Sequence, residues 1–349
     1  MLLRHCNGMH GDGAPEATLD NARRLATRAP RLWAAQHAVA DAIVYRLFEP
    51  APGEAALRRE GLAAADRAIA LLPDAADAYW TKAMLTSPNQ PVERDALFRK
   101  AIDSRFVNCA CGLQFYGDFL LQSGRASDAL AMYQRGSDNE TDDFAGLWRI
   151  FMAATMIGKD EVADAALARL DKLGNPGQPP APTEARRFRA IRDGDYRQAL
   201  ALAGERPQSR AGVARRATYA ALVSGDPGQK AEALAAIARV PEDNKQGKFT
   251  VQLLAALGET DRAFALLERS RRRGGSFSAP GRFPGSASPH LWAPALAPLW
   301  RDPRFAGFLT RAGFIAYWRG SKSRPDICKV GAAPPFCRLL ERPAVNPGP

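Results

Sequence analysis

The chain has 349 residues, of which 46% are hydrophobic, and its formal net charge is +11. This hydrophobic content excludes a disordered chain. A membrane span is not expected, because the most apolar stretch, residues 144–158, is short and contains Arg149. The basic residues stand in short separate groups instead of a stripe interleaved with aromatics, so nucleic-acid binding is the minority interpretation and a solvated basic surface the preferred one.

Helices are predicted in pairs through the first half of the chain. Residues 1–15 are polar and glycine-bearing, and we expect this N-terminus to be disordered. A helical pattern from Glu16 to Ala29 stops before Pro30 and is interpreted as the second helix of an incomplete first pair. The pairs that follow, within an array assigned to residues 16–173, are 32–48 with 54–72, 75–86 with 91–105, 109–123 with 125–137, and 141–158 with 159–173.

Several positions in this array recur every 34 residues. They form the series Tyr45, Tyr79, Leu113 and Leu147, and the pairs Ala83 and Gly117, Gly124 and Gly158, and Ala129 and Ala163. A period of this length is typical of stacked helical hairpins. One hairpin cannot bury its apolar face alone, so each is expected to pack on the next.

The clearest hairpin spans residues 110–143. Small residues, Gly117 and Ala129, are predicted to let its two helices approach closely, while Leu120 and Tyr133 fill the space beside them. Gly124 is expected to take a left-handed conformation in the turn. This order of residues resembles the tetratricopeptide repeat (TPR), and the resemblance implies an all-α, right-handed TPR-like superhelical solenoid of about seven helical hairpins.

Proline interrupts the array at residues 174–182, which are predicted to be a linker. A second array, residues 183–273, then repeats with a step of 32, as in Ala199, Ala231 and Ala263. A Gly/Ser/Pro loop follows at 274–290. The aromatic-rich block 291–328 is expected to be a C-terminal cap that closes the last open face of the array, and residues 329–349 a flexible tail.

The C-terminal block carries a second resemblance. The residues concerned are Trp300, Asp302-Pro303-Arg304-Phe305, Gly313-Phe314, Tyr317-Trp318-Arg319 and Pro325-Asp326-x-Cys328. They resemble the end of bacterial TPR proteins that carry an N-terminal winged-helix DNA-binding domain or an adenylate-cyclase domain. Ile327 departs from the Phe usual there, and the residues given before the repeats do not predict such an output domain. The resemblance implies a sensory or partner-binding module whose output domain is separate or lost.

No set of residues predicts catalysis, a cofactor or a metal site, and we expect a non-enzymatic protein. His5, Cys6 and His10 have a crude metal-ligand spacing in a segment expected to be disordered. Cys109 and Cys111 are interpreted as buried structural thiols, since residues two apart on a helix point in different directions. Cys328 and Cys337 form a disulfide in an oxidising compartment and stay reduced in a cytosol.

The expected function is protein–protein interaction, in which the concave groove of the array binds a peptide or helix of a partner. The residues assigned to the groove are Trp80, Met84, Gln114, Phe115, Asp118, Trp148, Arg149 and Met152. The alternative for Trp80 and Trp148 is ordinary packing between repeats. The alternative function is the sensory region of a transcriptional regulator or cyclase-type protein. A cytoplasmic location is expected, or a periplasmic one if a longer parent chain carries an upstream membrane anchor.

Overall fold

The computed structural model describes residues 15–48, 53–104, 111–137, 144–173, 181–204, 209–241, 247–281, 288–329, 331 and 333–341. All regular structure in these ranges is helical, as the sequence predicts. The chain divides into two compact units. Unit 1 comprises Met1–Tyr116 and Arg135–Glu140, and unit 2 comprises Gly117–Gln134 and Thr141–Pro349.

Unit 1 is built from antiparallel neighbours along the chain. Its helices are α1 (Pro15–Arg28), α2 (Trp33–Arg46), α3 (Glu54–Leu71), α4 (Ala76–Leu85), α5 (Pro91–Asp103) and the start of α6 (Cys111–Gln122). Each of α1 to α5 packs on the next, and α2 also contacts α4. Alanines make these approaches close: Ala64, Ala65, Ala68 and Ala78 are fully buried.

Unit 2 continues the same construction. It holds the rest of α6 and most of α7 (Ala126–Ser137), then α8 (Phe144–Met156), α9 (Asp160–Leu173), α10 (Ala181–Arg192), α11 (Tyr196–Leu202), α12 (Arg210–Ser224), α13 (Pro227–Ala238), α14 (Gly247–Ala256) and α15 (Thr260–Arg272). Neighbouring helices pack in pairs, and α10 also contacts α8, as α14 contacts α12. This recurring packing is consistent with a helical repeat.

The predicted helix pairs agree with the observed ones to within a few residues at each end. The left-handed conformation predicted for Gly124 is confirmed, since its φ is 78°. Gly158, one repeat later, has φ 71°, and residues with a Cβ rarely adopt such values. Most of the predicted linker, residues 174–180, lies outside the described residues, and its last two residues belong to α10, which packs on both α8 and α9.

The close approach predicted at Gly117 is present. Both Gly117 and Ala129 are buried, and a Cβ on Gly117 would lie 2.2 Å from Cε1 of Tyr133. The ring of Tyr133 therefore occupies the space that the missing side chain leaves, and α6 and α7 meet across a glycine–aromatic contact.

After α15 the chain folds into short helices. These are two 3-10 turns (His290–Trp292 and Pro294–Leu296), α16 (Ala297–Trp300), α17 (Pro303–Arg311), α18 (Phe314–Gly320), and further 3-10 turns at Asp326–Cys328 and Pro335–Leu340. Together residues 288–341 are named the C-terminal block. Its core is aromatic: Trp292, Phe305, Phe314, Trp318 and Phe336 are each at most 3% exposed.

The C-terminal block contacts the last hairpin, as expected of a cap. Arg304 binds Asp261 at 2.6 Å and lies over the ring of Phe264, and Arg311 binds Glu268 at 2.5 Å. The block also reaches a place that the sequence does not predict, the turn between α6 and α7.

At that turn the block satisfies three consecutive carbonyl groups. The indole Nε1 of Trp292 donates to the carbonyl of Gln122 at 2.9 Å, that of Trp318 to the carbonyl of Ser123 at 3.0 Å, and the amide of Asp326 to the carbonyl of Gly124 at 2.8 Å. The last carbonyl groups of an α-helix have no partner within the helix. Residues some 170–200 positions later in the chain therefore complete the C-terminus of α6.

Residues 329–349 were predicted to be a flexible tail, but the first part of this segment is ordered. Residues Pro335–Leu340 form a 3-10 helix, and Phe336 is 1% exposed within the aromatic core of the block. Cys328 and Cys337 are joined by a disulfide whose Cα atoms are 5.5 Å apart, which ties this helix to the turn before it. No helix among the described residues has both the length and the apolar character that crossing a membrane requires.

Candidate binding surface on the first helices

The first helix of each hairpin presents one side away from its own second helix, and this side is named the first-helix face. In unit 1 the face is formed by α2, α4 and the start of α6. Along α2, every third or fourth residue at this face is aromatic or polar. The residues are His37, Asp41, Tyr45 and, just after the helix, Phe48, whereas Trp33 at the start of α2 packs against a cluster that includes Ala68 of α3.

Six rings contact one another in sequence around this face and are named the aromatic frame. Four belong to α2 and its end, one to α4 and one to α6. The centroid distances are 6.0 Å for Trp33–His37, 6.2 Å for His37–Trp80, 5.4 Å for Trp80–Phe115, 6.0 Å for Phe115–Phe48 and 5.4 Å for Phe48–Tyr45. Separations of this size are typical of favourable aromatic pairs.

The frame has a buried side and an open side. Trp80 and Phe115 are each 3% exposed, whereas Trp33, His37 and Tyr45 are half-buried and Phe48 is 47% exposed. The contacts explain this difference: the indole of Trp80 lies against Gly112, where a Cβ would come within 2.9 Å of it. The α2 rings are thus more exposed than the rings of α4 and α6 that they contact.

Two buried carboxyl groups stand about one helical turn from rings of the frame, on α2 and α4, and are named the carboxylate floor. Asp41 on α2 and Asp77 on α4 are each 4% exposed. The indole of Trp80 donates to Oδ1 of Asp77 at 3.3 Å. By contrast, Oδ1 of Asp41 is buried and has no hydrogen-bond partner among the described residues. An unpartnered buried oxygen of this kind is uncommon in native proteins.

The electrostatics of the floor follow from burial. Removal from water, and then the nearby charge of Asp77, raise the pKa of Asp41 to about 7. Burial also raises the pKa of the Tyr45 phenol, with a smaller contribution from Asp41. The floor therefore carries a proton near neutral pH that a nearby positive charge would displace.

His37 and Thr81 connect the two helices beside the floor. Nε2 of His37 lies 3.0 Å from Oγ1 of Thr81, and the Thr81 hydroxyl donates to the backbone carbonyl of Asp77 at 2.7 Å. This link fixes α2 against α4 in the register that places Asp41 near Asp77.

In unit 2, two residues assigned to the groove form an internal ion pair instead. Nε of Arg149 donates to Oδ1 of Asp118 at 3.0 Å, and its Nη2 donates to Oδ2 at 3.0 Å. The hydroxyl of Tyr133 donates to the same carboxylate at 2.8 Å. Asp118 is fully buried and Arg149 is 8% exposed, so this ion pair joins α6 to α8 in the interior of unit 2.

The remaining groove assignments divide by burial. Trp80, Met84, Phe115 and Met152 are buried, and for Trp80 this corresponds to the alternative of packing between repeats that the sequence left open. Gln114 and Trp148 are half-buried, and the indole of Trp148 lies 6.1 Å from the ring of Phe151. Partner contact remains a prediction for all eight assigned residues, and Gln114 and Trp148 are the two with the most exposed surface.

Part of the first-helix face of unit 2 is covered by the chain itself. The turn Pro294–Leu296 of the C-terminal block lies against α10 and α14, both first helices. Nearby, Gly281 rests on the ring of Phe119 of α6, where a Cβ would come within 2.1 Å of the ring. The surface open to a partner in unit 2 is correspondingly smaller than the sequence predicts.

The basic group at residues 186–192 is engaged within unit 2. Arg186 pairs with Asp171 at 2.6 Å, Arg192 with Asp160 at 2.5 Å, and Arg189 with Asp164. Arg187 pairs with Glu184, and burial followed by the charge of Arg215 lowers its pKa to about 10. These pairs leave this group few donors for an anionic partner such as nucleic acid.

Sequence reasoning missed the carboxylate floor, although one signal was present. Asp41 is the single charged residue in the apolar run from Ala38 to Val44. A carboxyl group there must enter the core or disrupt the helix pair. The sequence gives no sign that Asp41 lies near Asp77. The two residues are 36 positions apart, and only the stacking of the hairpins brings them together.

The described residues contain no group of three or more His, Cys, Asp or Glu side chains arranged to hold a metal ion. The candidate ligands His5, Cys6 and His10 lie outside these residues, as does Cys109, and the side chain of Cys111 is likewise not described. No protein-family model matches the chain, and a search of characterised proteins finds no similar sequence.

Proposed function

We propose that this protein is a non-enzymatic interaction scaffold whose first-helix face in unit 1 binds a peptide or helix of a partner protein. The observation that carries the proposal is the aromatic frame, in which half-buried rings of α2 and the exposed ring of Phe48 contact the buried rings of Trp80 and Phe115. Aromatic side chains bury much apolar area at low entropic cost and are enriched where proteins bind one another.

Phe48 is the residue of the frame best placed to report binding. With 47% of its surface exposed, it is the most exposed aromatic ring among the described residues and contacts both Tyr45 and Phe115. A partner side chain that covers Phe48 would bury apolar surface and extend a cluster that is already ordered. Ordered contacts of this kind lower the entropic cost of binding.

The test is selection of peptides from a displayed library on the full-length chain, followed by affinity measurement with variants. Phe48→Ala is expected to weaken a selected peptide at least about tenfold, as truncation of a buried aromatic anchor commonly does. The matched control is Leu71→Ala, because Leu71 is 41% exposed in the same unit but lies on a second helix.

If Phe48→Ala bound the selected peptide as tightly as the wild type, the peptide would bind another surface. The same conclusion would follow if Leu71→Ala lost as much affinity as Phe48→Ala. Failure to select any peptide with a reproducible affinity would overturn the proposal itself.

A further inference from the structure

Residues 333–341 of the C-terminal block are named the terminal strap, and few contacts hold them in place. Phe336 and Cys337 are the buried residues of the 3-10 helix in this strap. Among the described residues, Arg319 is the one that hydrogen-bonds the strap to the remainder of the chain, and its Nε donates to the carbonyl of Leu339 at 3.1 Å. A 3-10 helix has poorer hydrogen-bond geometry than an α-helix, so the strap depends on these few side chains.

Phe336 places the strap against the aromatic core of the C-terminal block. The centroid of its ring lies 6.1 Å from that of Trp318, on which it stacks, 5.7 Å from that of Phe305 and 6.3 Å from the ring of Trp292. All four side chains are at most 3% exposed. Because this one ring contacts the other three, release of the strap would expose apolar surface that the folded block buries.

Cys328, the disulfide partner of Cys337, lies in a turn that is held much more firmly. Two positions before it, the amide of Asp326 donates to the carbonyl of Gly124 at 2.8 Å, and the carboxylate of Asp326 accepts from the amide of Ser127 at 2.7 Å. These bonds complete the end of α6 and the start of α7, and the strap takes no part in them. The disulfide therefore joins a firmly held turn to a weakly held helix.

The disulfide contributes much to the closed position of the strap. It closes a loop of about ten residues, and by restricting the open state it favours the closed state by up to about a hundredfold. Without the disulfide, the ring of Phe336 and the hydrogen bond from Arg319 must alone offset the entropy of ordering the strap. The redox state of the two cysteines is therefore expected to decide whether the strap stays closed.

We propose that the disulfide between Cys328 and Cys337 is a redox latch. When a dithiol reductant opens it, the terminal strap leaves the aromatic core of the C-terminal block, while the hydrogen bonds of Asp326 at the α6–α7 turn stay intact. The redox state thereby controls whether this aromatic core is accessible. The inference concerns unit 2 and is independent of the proposed function of unit 1.

The opening reaction is a two-electron thiol–disulfide exchange. Cys328 is half-buried and Cys337 is 7% exposed, so a thiolate of the reductant attacks Sγ of Cys328. The protein disulfide breaks, and Cys337 leaves as a thiolate that takes up a proton. The second thiolate of the reductant then attacks the reductant sulfur of the mixed disulfide and releases Cys328, which also takes up a proton. The protein ends with two thiols and the reductant with one disulfide.

The test measures the hydrogen exchange of single backbone amides by NMR, in the full-length chain before and after treatment with dithiothreitol. The amides of Cys337 and Glu341 form hydrogen bonds within the strap. Exchange reports local opening, so on reduction both amides are expected to exchange at least about tenfold faster. The amide of Asp326, which donates to Gly124, is the internal control and is expected to change less than about threefold.

A variant separates the latch from the other cysteines of the chain. Cys328→Ser combined with Cys337→Ser is expected to show the fast exchange at Glu341 without reductant and no further change when dithiothreitol is added. Reoxidation of the reduced wild type with oxidised glutathione is expected to restore slow exchange at the same amide.

Three results would overturn the latch. Equal exchange of the strap amides in the oxidised and reduced protein would show that Phe336 and Arg319 hold the strap without the disulfide. Equal acceleration at Asp326 would show that reduction opens the whole block and not the strap alone. Acceleration by dithiothreitol in the double-serine variant would assign the effect to other cysteines.

Discussion

Asp118 and Arg149 form a buried, two-point ion pair between α6 and α8 of unit 2, with Nε and Nη2 of the arginine each 3.0 Å from one carboxylate oxygen. Tyr133 adds a third hydrogen bond to the same carboxylate. The pair joins successive hairpins at a point where the sequence predicted a partner-binding groove.

Removing one member of this pair should destabilise unit 2 strongly. Asp118→Ala leaves a buried guanidinium without its counter-charge, and we expect a loss of about 3–5 kcal/mol in the free energy of unfolding. Urea denaturation followed by circular dichroism measures it. The double variant Asp118→Leu with Arg149→Met should recover much of the loss, because it removes both charges. A double variant as unstable as the single one would show that packing, and not charge, dominates at this site.

The raised pKa of Asp41 predicts a stability that depends on pH. Because its pKa is about 7 in the folded chain and about 3.8 in the unfolded chain, its favourable contribution is full below pH 4 and is lost as pH rises to 7. Asp41→Asn mimics the protonated form, so at pH 8 it should be more stable than the wild type by up to about 4 kcal/mol. At pH 4 the two proteins should be equally stable.

The measurement is denaturant unfolding of both proteins at several pH values. Groups that do not interact with Asp41 cancel in the difference, among them the ion pairs Glu16–Arg46 and Arg23–Glu60. Asp77 and Tyr45 do interact with Asp41, so their contributions do not cancel and form part of the measured difference. A difference that does not change between pH 4 and pH 8 would place the pKa of Asp41 in its ordinary range.

Trp148 is the predicted groove residue of unit 2 that retains exposed surface. We expect Trp148→Ala to weaken a peptide that contacts this unit by at least about tenfold while lowering the midpoint of thermal unfolding by only a few degrees. Peptide affinity and thermal unfolding are measured on the same samples. Leu173→Ala is the control, because Leu173 is 42% exposed on a second helix. A large loss of thermal stability with unchanged affinity would identify Trp148 as core.

The indole of Trp318 should stabilise the fold both through its hydrogen bond and through the apolar surface that it buries. Trp318→Phe leaves the buried carbonyl of Ser123 without a donor, and we expect a cost of about 1–3 kcal/mol for that group in addition to lost packing. Trp300→Phe is a matched control. The indole of Trp300 donates to the carbonyl of Leu291 within the C-terminal block and is half-buried, so water can replace it. Equal losses in the two variants would contradict this account.

The disulfide between Cys328 and Cys337 should stabilise the end of the C-terminal block. For a loop of about ten residues, chain entropy predicts a contribution of about 2–3 kcal/mol. Addition of a reductant is therefore expected to lower the midpoint of thermal unfolding. The variant with Ser at both positions should show the lower midpoint with and without reductant. A variant that still responds to reductant would assign the effect to other cysteines.

The helices and their pairing were largely predictable because the evidence for them is local. The spacing of Leu113, Tyr116 and Leu120 defines a helical face, and Gly124 marks the turn that follows. Contacts between distant segments could not be predicted in this way, because no local sequence pattern indicates them. Nothing in the residues around Trp318 indicates that its indole completes a helix ending at Gln122.

The candidate site was predicted less well for a related reason. Asp118 and Trp80 were placed in the groove from their helical offsets, but an offset does not distinguish a side chain facing solvent from one facing the next hairpin. Their burial depends on Arg149 and Phe115, which become neighbours only after the hairpins stack. Asp41 could have been recognised from the sequence, because an acidic residue in a run of alanines, valines and isoleucine is expected to be buried.

The hydrogen bonds from Trp292, Trp318 and Asp326 to residues 122–124 also bear on how the chain matures. During synthesis, α6 leaves the ribosome long before its terminal carbonyl groups can meet their donors. Contacts between such distant positions slow folding, because a long loop must close first. Final consolidation of unit 2 is therefore a late event in biogenesis, and a chain arrested before Trp292 would expose an unfinished helix end to chaperones and proteases.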